Sequence, residues 1–127
     1  MLTIYTGDRY SHKLASIEVT YAWPEEKRSA YEQLDWFDRH IEEFKRKNVS
    51  IKTFSPYILN YLNLIIAEGK LNFDDLEAIC IHFDEENDEY FNESLKVLNY
   101  NMVDTRLLSD PISEIYQKFN KIKNNEN

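Results

Sequence analysis

The sequence predicts an α/β domain, a small and mostly parallel β-sheet with flanking helices, extended by a β-hairpin. Three features of the 127-residue chain lead to this prediction. A helical repeat separates two strand-like segments, a largely apolar helix follows the second of them, and two later strand-like segments flank an acidic turn. Because 43% of the residues are hydrophobic, one domain can bury a core. We expect that domain to span residues 1–122, followed by a frayed tail at 123–127.

The N-terminal segments predict two short strands. Residues 2–6 and 15–22 have strand-like patterns, and the polar stretch 7–13 between them is typical of a turn. Pro24 is expected to end the second strand because its ring removes a donor and fixes φ.

Residues 29–47 predict an amphipathic helix with one buried stripe. Charged residues occupy its other face, including Asp35, Asp38 and Glu42. The stripe consists of apolar residues at spacings of three and four, namely Ala30, Leu34, Phe37, Ile41 and Phe44.

The segment 49–70 predicts a strand, a tight turn and a helix. Residues 49–54 form the strand, Ser55 can cap the helix, and Pro56 suits its first position. The helix is expected to run to Glu68, with Gly69 in a left-handed conformation after it. Since this helix is apolar around most of its circumference, we expect the rest of the chain or a second subunit to cover it on more than one side.

The C-terminal part predicts a hairpin and a last helix. Strands are expected at 76–83 and 89–95, joined by the acidic turn 84–88. After a polar segment, Asp110 and Pro111 should open a helix. One face of that helix carries the apolar residues Ile112, Ile115, Tyr116, Phe119 and Ile122.

The composition excludes several classes of partner. A net charge of -8 and a pI near 4.9 would make the chain repel nucleic acid and anionic membranes. We see no secretory signal and no apolar run long enough to span a bilayer, so we expect a soluble, cytoplasmic protein. The single cysteine, Cys80, cannot form an internal disulfide, and its apolar surroundings predict burial.

Candidate chemistry is sparse. His82, Asp84 and Glu86 could together bind zinc or manganese, but a histidine beside a solvated hairpin turn is the simpler interpretation. Ser55 is expected to serve as a helix cap rather than as a nucleophile. We therefore predict no catalytic, cofactor-binding or metal-binding residues.

One stretch, "IKTFSPYILNYLNLII" (51–66), resembles the segment "TTHSPYILN-LN" of ATP-binding-cassette-type AAA ATPases, a family related to the OLD nucleases and the SMC proteins. The flanking stretches "SIEVTYAWPEEKRSAYEQLDWFDRHIEEF" and "VDTRLLSDPISEIYQKF" are similar in pattern to the Walker B region and the closing helix of that family. The resemblance covers residues 15–122 and corresponds to the C-terminal part of such an ATPase, so it implies a related α/β fold.

The chain departs from the family at the positions that act on ATP. It has no Gly-Lys dipeptide and no glycine-rich loop to wrap phosphates. The predicted strand ends Tyr21-Ala22-Trp23-Pro24, where the family has two carboxylates that serve the metal ion and the water. The histidine that contacts the terminal phosphate in the family falls at Phe54, which cannot form that hydrogen bond. These replacements imply that the chain does not hydrolyse ATP by itself.

The resulting hypothesis is a non-catalytic interaction domain derived from an ATPase lobe. It would dock on a protein partner, such as a full-length ATPase, or associate with itself. Candidate interface residues are Trp23, Trp36, Phe54, Tyr57 and Tyr61, although burial in the chain's own core would also explain the tryptophans. Two alternatives are one half of a split ATPase with a separately encoded phosphate-binding lobe, and a small metal-dependent hydrolase.

Overall fold

A computed structural model describes residues 1–7, 13–22, 29–105 and 111–125 of the chain. Its helices are α1 (Lys13–Ser16), α2 (Ala30–Arg46), α3 (Pro56–Ala67) and α4 (Pro111–Asn125). Its strands are β1 (Leu2–Gly7), β2 (Tyr21–Ala22), β3 (Val49–Lys52), β4 (Leu76–Asp84), β5 (Glu89–Ser94), β6 (Lys96–Val97) and β7 (Met102–Val103). A short 3-10 turn, Phe73–Asp75, precedes β4.

The described strands β1 to β5 form one sheet in the order β2-β3-β1-β4-β5. Strands β2, β3, β1 and β4 are parallel, and β5 pairs antiparallel with β4 to form the hairpin. Helices connect the parallel strands, as crossover connections require. This architecture confirms the predicted α/β class, a mostly parallel sheet with flanking helices and a hairpin.

The long helices follow the local signals in the sequence. Ser29 accepts a hydrogen bond from the N–H of Glu32 at the start of α2, and Ser55 accepts one from the N–H of Ile58 at the start of α3. Gly69 has a φ of 75°, the left-handed conformation expected after α3. The predictions for both helices and for Gly69 are therefore confirmed.

The predicted strand at 15–22 is wrong over most of its length. Residues 13–16 are helical, and the ladder with β3 covers Tyr21 and Ala22. At Thr20, just before Tyr21, the acceptors of the hydrogen bonds to β3 are side-chain oxygens rather than backbone carbonyls. The N–H of Thr20 donates to Ser50 Oγ at 3.0 Å, and the N–H of Ser50 donates to Thr20 Oγ1 at 3.1 Å. Pro24 and Trp23 lie outside the described residues, as does most of the predicted turn at 7–13.

The core lies between the sheet and the helices α2 and α3. Helix α3 contributes Ile58, Leu59, Leu62 and Ile65, which share one face and are fully buried. Phe37 and Phe44 of α2 pack into the same cluster, together with Leu2, Ile4, Ile51, Leu76, Ala78 and Cys80 of the sheet. The chain itself covers that face of α3, whereas Leu64 on the other side of the helix is 52% exposed. Cys80 is buried as predicted.

The region after β5 contains two short strands that the sequence did not predict. The hairpin of β4 and β5 agrees with its prediction, but β6 and β7 then form a second, two-stranded antiparallel pair. Asn63 of α3 holds this pair, because its Nδ2 donates to the carbonyl of Val103 and its Oδ1 accepts from the N–H of Val103.

Helix α4 begins at Pro111, as predicted, and continues to Asn125, beyond the residue where the sequence suggested a tail. All its side chains from Ile115 to Asn125 are exposed. The predicted cap Asp110 and the side chain of Ile112 lie outside the description. Among the helices within the described ranges, none combines the length and apolar composition needed to cross a bilayer.

Candidate functional site

The carboxyl edge of the parallel sheet is the candidate site, because ligands of open α/β sheets bind where the carboxyl ends of the strands meet. Strand β1 ends there at Gly7 and β3 at Lys52. Helices α2 and α3 both begin at this edge, since each follows a parallel strand of the sheet. The Thr-Phe-Ser-Pro corner between β3 and α3 lies at the same edge.

A compact set of buried polar side chains occupies this corner. In the described chain the buried polar residues are Thr6, Gln33, Thr53 and Ser55. Ser55 Oγ donates to Gln33 Oε1 at 2.7 Å, and the N–H of Ser55 donates to Thr53 Oγ1 at 2.9 Å. The N–H of Thr53 in turn donates to the carbonyl of Tyr5 in β1. The corner therefore connects α2, β1 and β3 by hydrogen bonds.

These polar groups are satisfied within the protein. Among the described residues, every buried side-chain nitrogen or oxygen has a hydrogen-bond partner. The corner residues themselves are hydroxyls and one amide, none of which carries a charge to offset that of a phosphate. The arrangement accounts for the stability of the corner without a ligand.

The exposed side chains at the corner are aromatic. Phe54 is 55% exposed and Tyr57 is 53% exposed, on either side of the cap Ser55 and the helix start at Pro56. Both belong to the predicted interface, and the structure places them on the surface. A phenyl ring and a phenol present mainly hydrocarbon, which suits contact with another protein surface.

The other predicted interface residues do not share this setting. Trp36 is partly buried and stacks on His40 with ring centroids 4.2 Å apart, and it also contacts Tyr21 edge-on. Tyr61 is partly buried and packs edge-on against Phe37. Trp23 lies outside the described residues. The structure therefore gives Trp36 and Tyr61 contacts within the chain's own fold.

Two tyrosines have perturbed acidities through neighbouring carboxylates. The Tyr61 hydroxyl donates to Asp38 Oδ1 at 2.5 Å, and this hydrogen bond is the main reason that the pKa of Tyr61 rises to about 12. The Tyr21 hydroxyl donates to both carboxylate oxygens of Glu43 at 3.0 Å, which raises the pKa of Tyr21. Both pairs join different elements of the fold, so their geometry accounts for a structural role.

The hairpin residues considered for metal binding have other contacts. His82 Nε2 lies 2.8 Å from Glu93 Oε2 across the hairpin, and the imidazole stacks on Phe91. Asp84 accepts from the N–H of Glu86 and from the amide of Asn87, and the latter bond lowers the pKa of Asp84. Within the described ranges, no group of three histidine, cysteine or acidic side chains is placed to hold a metal ion.

The sequence interpretation above did not consider the spacing between Gly7 and Lys13 near the N-terminus. Strand β1 pairs with β3 on one side and β4 on the other, and it ends at Gly7, six positions before Lys13. A P-loop also joins a strand to a helix, with its first glycine and its lysine at this spacing. This chain has histidine at position 12, where that motif has its second glycine, and leucine at position 14, where the motif has serine or threonine.

A second concavity lies away from this edge. An open groove of about 500 Å³ is lined by Ile66, Ala67, Gly69, Leu71, Asn72, Phe73, Tyr100 and Asn101. Among the described residues that line it, none is a carboxylate, lysine, arginine or histidine, although Lys96 Nζ lies 4.4 Å from the ring centroid of Phe73.

Comparison with models of protein families, with curated proteins and with solved structures gives no significant match to this chain. The resemblance to ATPases consequently remains a prediction from the residues quoted above.

Proposed function

We propose that this chain is a non-catalytic protein-interaction domain, built on an ATPase-like α/β lobe, whose contact surface includes Phe54 and Tyr57. Its partner would be another protein, such as a full-length ATPase. The observation that carries the proposal is the exposure of these two aromatic side chains at the carboxyl edge of the sheet, where related folds bind their ligands.

The character of the corner supports binding to a protein rather than to a nucleotide. A phosphate site needs backbone N–H groups or cations directed at the ligand. Here the hydroxyls of Thr53 and Ser55 are used in hydrogen bonds within the corner. The exposed side chains of Phe54 and Tyr57 are aromatic rings, and aromatic residues are enriched at the centres of protein interfaces.

The position of β1 bears on the split-ATPase alternative. This strand fills the centre of the sheet, between β3 and β4, and the chain has glycine at 7 and lysine at 13, the spacing of the first glycine and the lysine in a P-loop. A separately encoded lobe would have to bind without adding a strand at that place. We therefore favour the interaction domain, in which Lys13 matches the lysine of the motif but His12 and Leu14 stand where the motif has its second glycine and its hydroxyl residue.

The proposal can be tested with a double substitution, Phe54→Ser with Tyr57→Ser. The intact protein would first be used to isolate a partner from cells that produce it, and the affinity would then be measured with the purified partner by calorimetry. We expect the double variant to weaken binding at least about tenfold, as loss of aromatic anchors does at other interfaces. Tyr100→Ser is the matched control, because Tyr100 is an exposed aromatic residue beside the C-terminal end of α3, away from the carboxyl edge.

A second measurement addresses nucleotide binding directly. Titration of the wild-type protein with ATP and magnesium should give no binding signal, with or without the partner. Tight magnesium-dependent uptake of ATP would contradict the proposal, and so would equal weakening by Tyr100→Ser and by the double variant.

A further inference from the structure

Helix α4 presents an apolar face that the described part of the chain does not cover. Ile115, Tyr116, Phe119 and Ile122 recur at helical spacing, and each is between 52% and 65% exposed. An isolated helix of 15 residues is marginal in water, because helices in proteins are stabilised mainly by packing an apolar face. The helix therefore requires a surface that buries these side chains.

The charge of α4 restricts what that surface can be. The helix contains Lys118, Lys121 and Lys123 against one acidic residue, Glu114, in a chain with a net charge of -8. Helical spacing places Lys118 and Lys123 beside the apolar residues, and Lys123 Nζ lies 5.8 Å from the ring centroid of Phe119. A complementary surface combines apolar side chains with carboxylates.

The hairpin of β4 and β5 has these properties. Between positions 84 and 94 the sequence contains six acidic residues and no lysine or arginine. Tyr90 and Phe91 are exposed on the same hairpin. Strand β5 is the outer strand of the sheet in the described structure, so its outer side is open to another molecule.

We propose that α4 of one copy docks on the β4–β5 hairpin of a second copy, and that the reciprocal contact closes a two-fold dimer. The side chains of α4 from Ile115 onward are exposed in this chain's own structure, so the contact is made between copies. Pairing of α4 with α4 would bring lysines together, whereas the hairpin brings carboxylates to them. When α4 of each copy contacts the hairpin of the other, both surfaces of both copies are occupied. The assembly is then a closed dimer rather than a filament. This dimer uses a different surface from Phe54 and Tyr57.

Charge reversal on each surface provides the test. Variant one carries Lys118→Glu and Lys123→Glu on α4. Variant two carries Glu85→Lys, Glu86→Lys, Asp88→Asn and Glu89→Lys on the hairpin, four exposed positions, so that three lysines stand against the remaining carboxylates of Asp84 and Glu93. By sedimentation velocity the wild-type protein should dimerise with rising concentration. Each variant alone should weaken dimerisation at least about tenfold, since like charges then meet in both contacts.

Mixing the two variants distinguishes this contact from any other. In a mixed dimer the acidic α4 of variant one meets the basic hairpin of variant two, and the basic α4 of variant two meets the acidic hairpin of variant one. Both contacts regain opposite charges, so the mixed dimer should form with an affinity within about threefold of wild type. Circular dichroism of each variant would establish that α4 remains helical.

Matched controls complete the design. Lys121→Glu changes a charge on the side of α4 away from the apolar residues and should leave dimerisation unchanged. The Phe54→Ser, Tyr57→Ser variant should also dimerise like wild type, so failure of the dimer and failure of the proposed function are separable. A wild-type protein that stays monomeric, or variants whose mixture fails to regain dimerisation, would overturn the proposal.

Discussion

Ser55 Oγ donates a hydrogen bond of 2.7 Å to Gln33 Oε1, and both side chains are buried at the carboxyl edge of the sheet. The same Ser55 oxygen accepts from the N–H of Ile58 and so caps α3. One hydroxyl therefore serves both the start of a helix and the contact between α2 and the corner. This double role explains why the Ser-Pro corner is stable without a ligand.

Ser55→Ala should lower the free energy of unfolding by about 1–3 kcal/mol, because a cap and a buried hydrogen bond are lost together. Chemical denaturation of the full chain would measure the change. Ser29→Ala is the matched control: Ser29 caps α2 at the exposed surface, and its loss should lower the unfolding free energy by about 1 kcal/mol or less.

A double-mutant cycle isolates the contact with Gln33. Combining Ser55→Ala with Gln33→Ala should give a coupling energy of about 1 kcal/mol, the usual contribution of a hydrogen bond. If the two effects simply add, the bond between these side chains does not stabilise the corner.

The acidity of Tyr61 offers a pH-dependent test. Its pKa is raised from an ordinary value of 10.0 to about 12, chiefly by the hydrogen bond to Asp38. A raised tyrosine pKa means that the neutral hydroxyl is favoured in the folded state. Its contribution to stability is therefore complete below pH 10 and is lost as the pH rises from about 10 to about 12.

Asp38→Asn should return the pKa of Tyr61 towards its ordinary value, which ring-resolved NMR titration would measure. Asp35→Asn is the control, since Asp35 is the weakest of the acidic neighbours that raise this pKa. Equal shifts from both substitutions would show that general charge, rather than the hydrogen bond, sets the acidity of Tyr61.

The elements that sequence reasoning located are those with complete local signals. Helix α3 carries its start in Ser55 and Pro56 and its end in Gly69, so neighbouring residues alone define it. The hairpin of β4 and β5 has its turn residues between its strands in the same way. Such signals need no knowledge of where the rest of the chain lies.

The features that sequence reasoning missed depend on distant partners. The strand predicted at 15–22 is reduced to Tyr21–Ala22, since the chain is helical to Ser16. Thr20 then meets Ser50 through side-chain hydrogen bonds, a pairing that the sequence does not identify. Helical spacing likewise could not show that Trp36 stacks on His40 and meets Tyr21. Sequence reasoning did not name Gln33 as a site residue. The structure shows its part in the site through its contact with Ser55, which is 22 positions away in the chain.

The helix end at Gly69 gives a prediction about backbone conformation. The N–H of Lys70 donates to the carbonyl of Ile65 and the N–H of Gly69 to that of Ile66, the paired bonds of a Schellman motif. A Cβ atom at Gly69 would meet no neighbouring atom within 4 Å. Gly69→Ala should therefore lower the unfolding free energy by about 1 kcal/mol through the positive φ alone.

Gly69→Asn separates conformation from side-chain size. Asparagine tolerates the left-handed region better than alanine does, so its larger side chain should be less destabilising in thermal unfolding. A larger loss for asparagine than for alanine would indicate steric conflict rather than backbone strain.

Asn63 provides the last prediction, because one amide side chain satisfies both backbone groups of a buried residue. The N–H of Val103 lies 2.6 Å from Asn63 Oδ1, and the carbonyl of Val103 lies 2.9 Å from Asn63 Nδ2. Asn63→Ala removes both partners and should lower the unfolding free energy by about 2–3 kcal/mol, since a buried polar group left unpaired is costly. Asn60→Ala is the control on the same helix: Asn60 forms exposed hydrogen bonds with Pro56 and Thr105 but none with Val103, so its loss should lower the unfolding free energy by less.

Hydrogen exchange locates this effect within the fold. The amide of Val103 should lose protection from exchange in Asn63→Ala. The protection of amides in the central strand β1 should fall only by the amount that the loss of global stability explains. The reason is that Asn63 holds the β6–β7 pair against α3, whereas β1 is bonded on both sides by β3 and β4. Unchanged protection at Val103 would mean that the second hairpin is held by its apolar contacts, with Asn63 adding little.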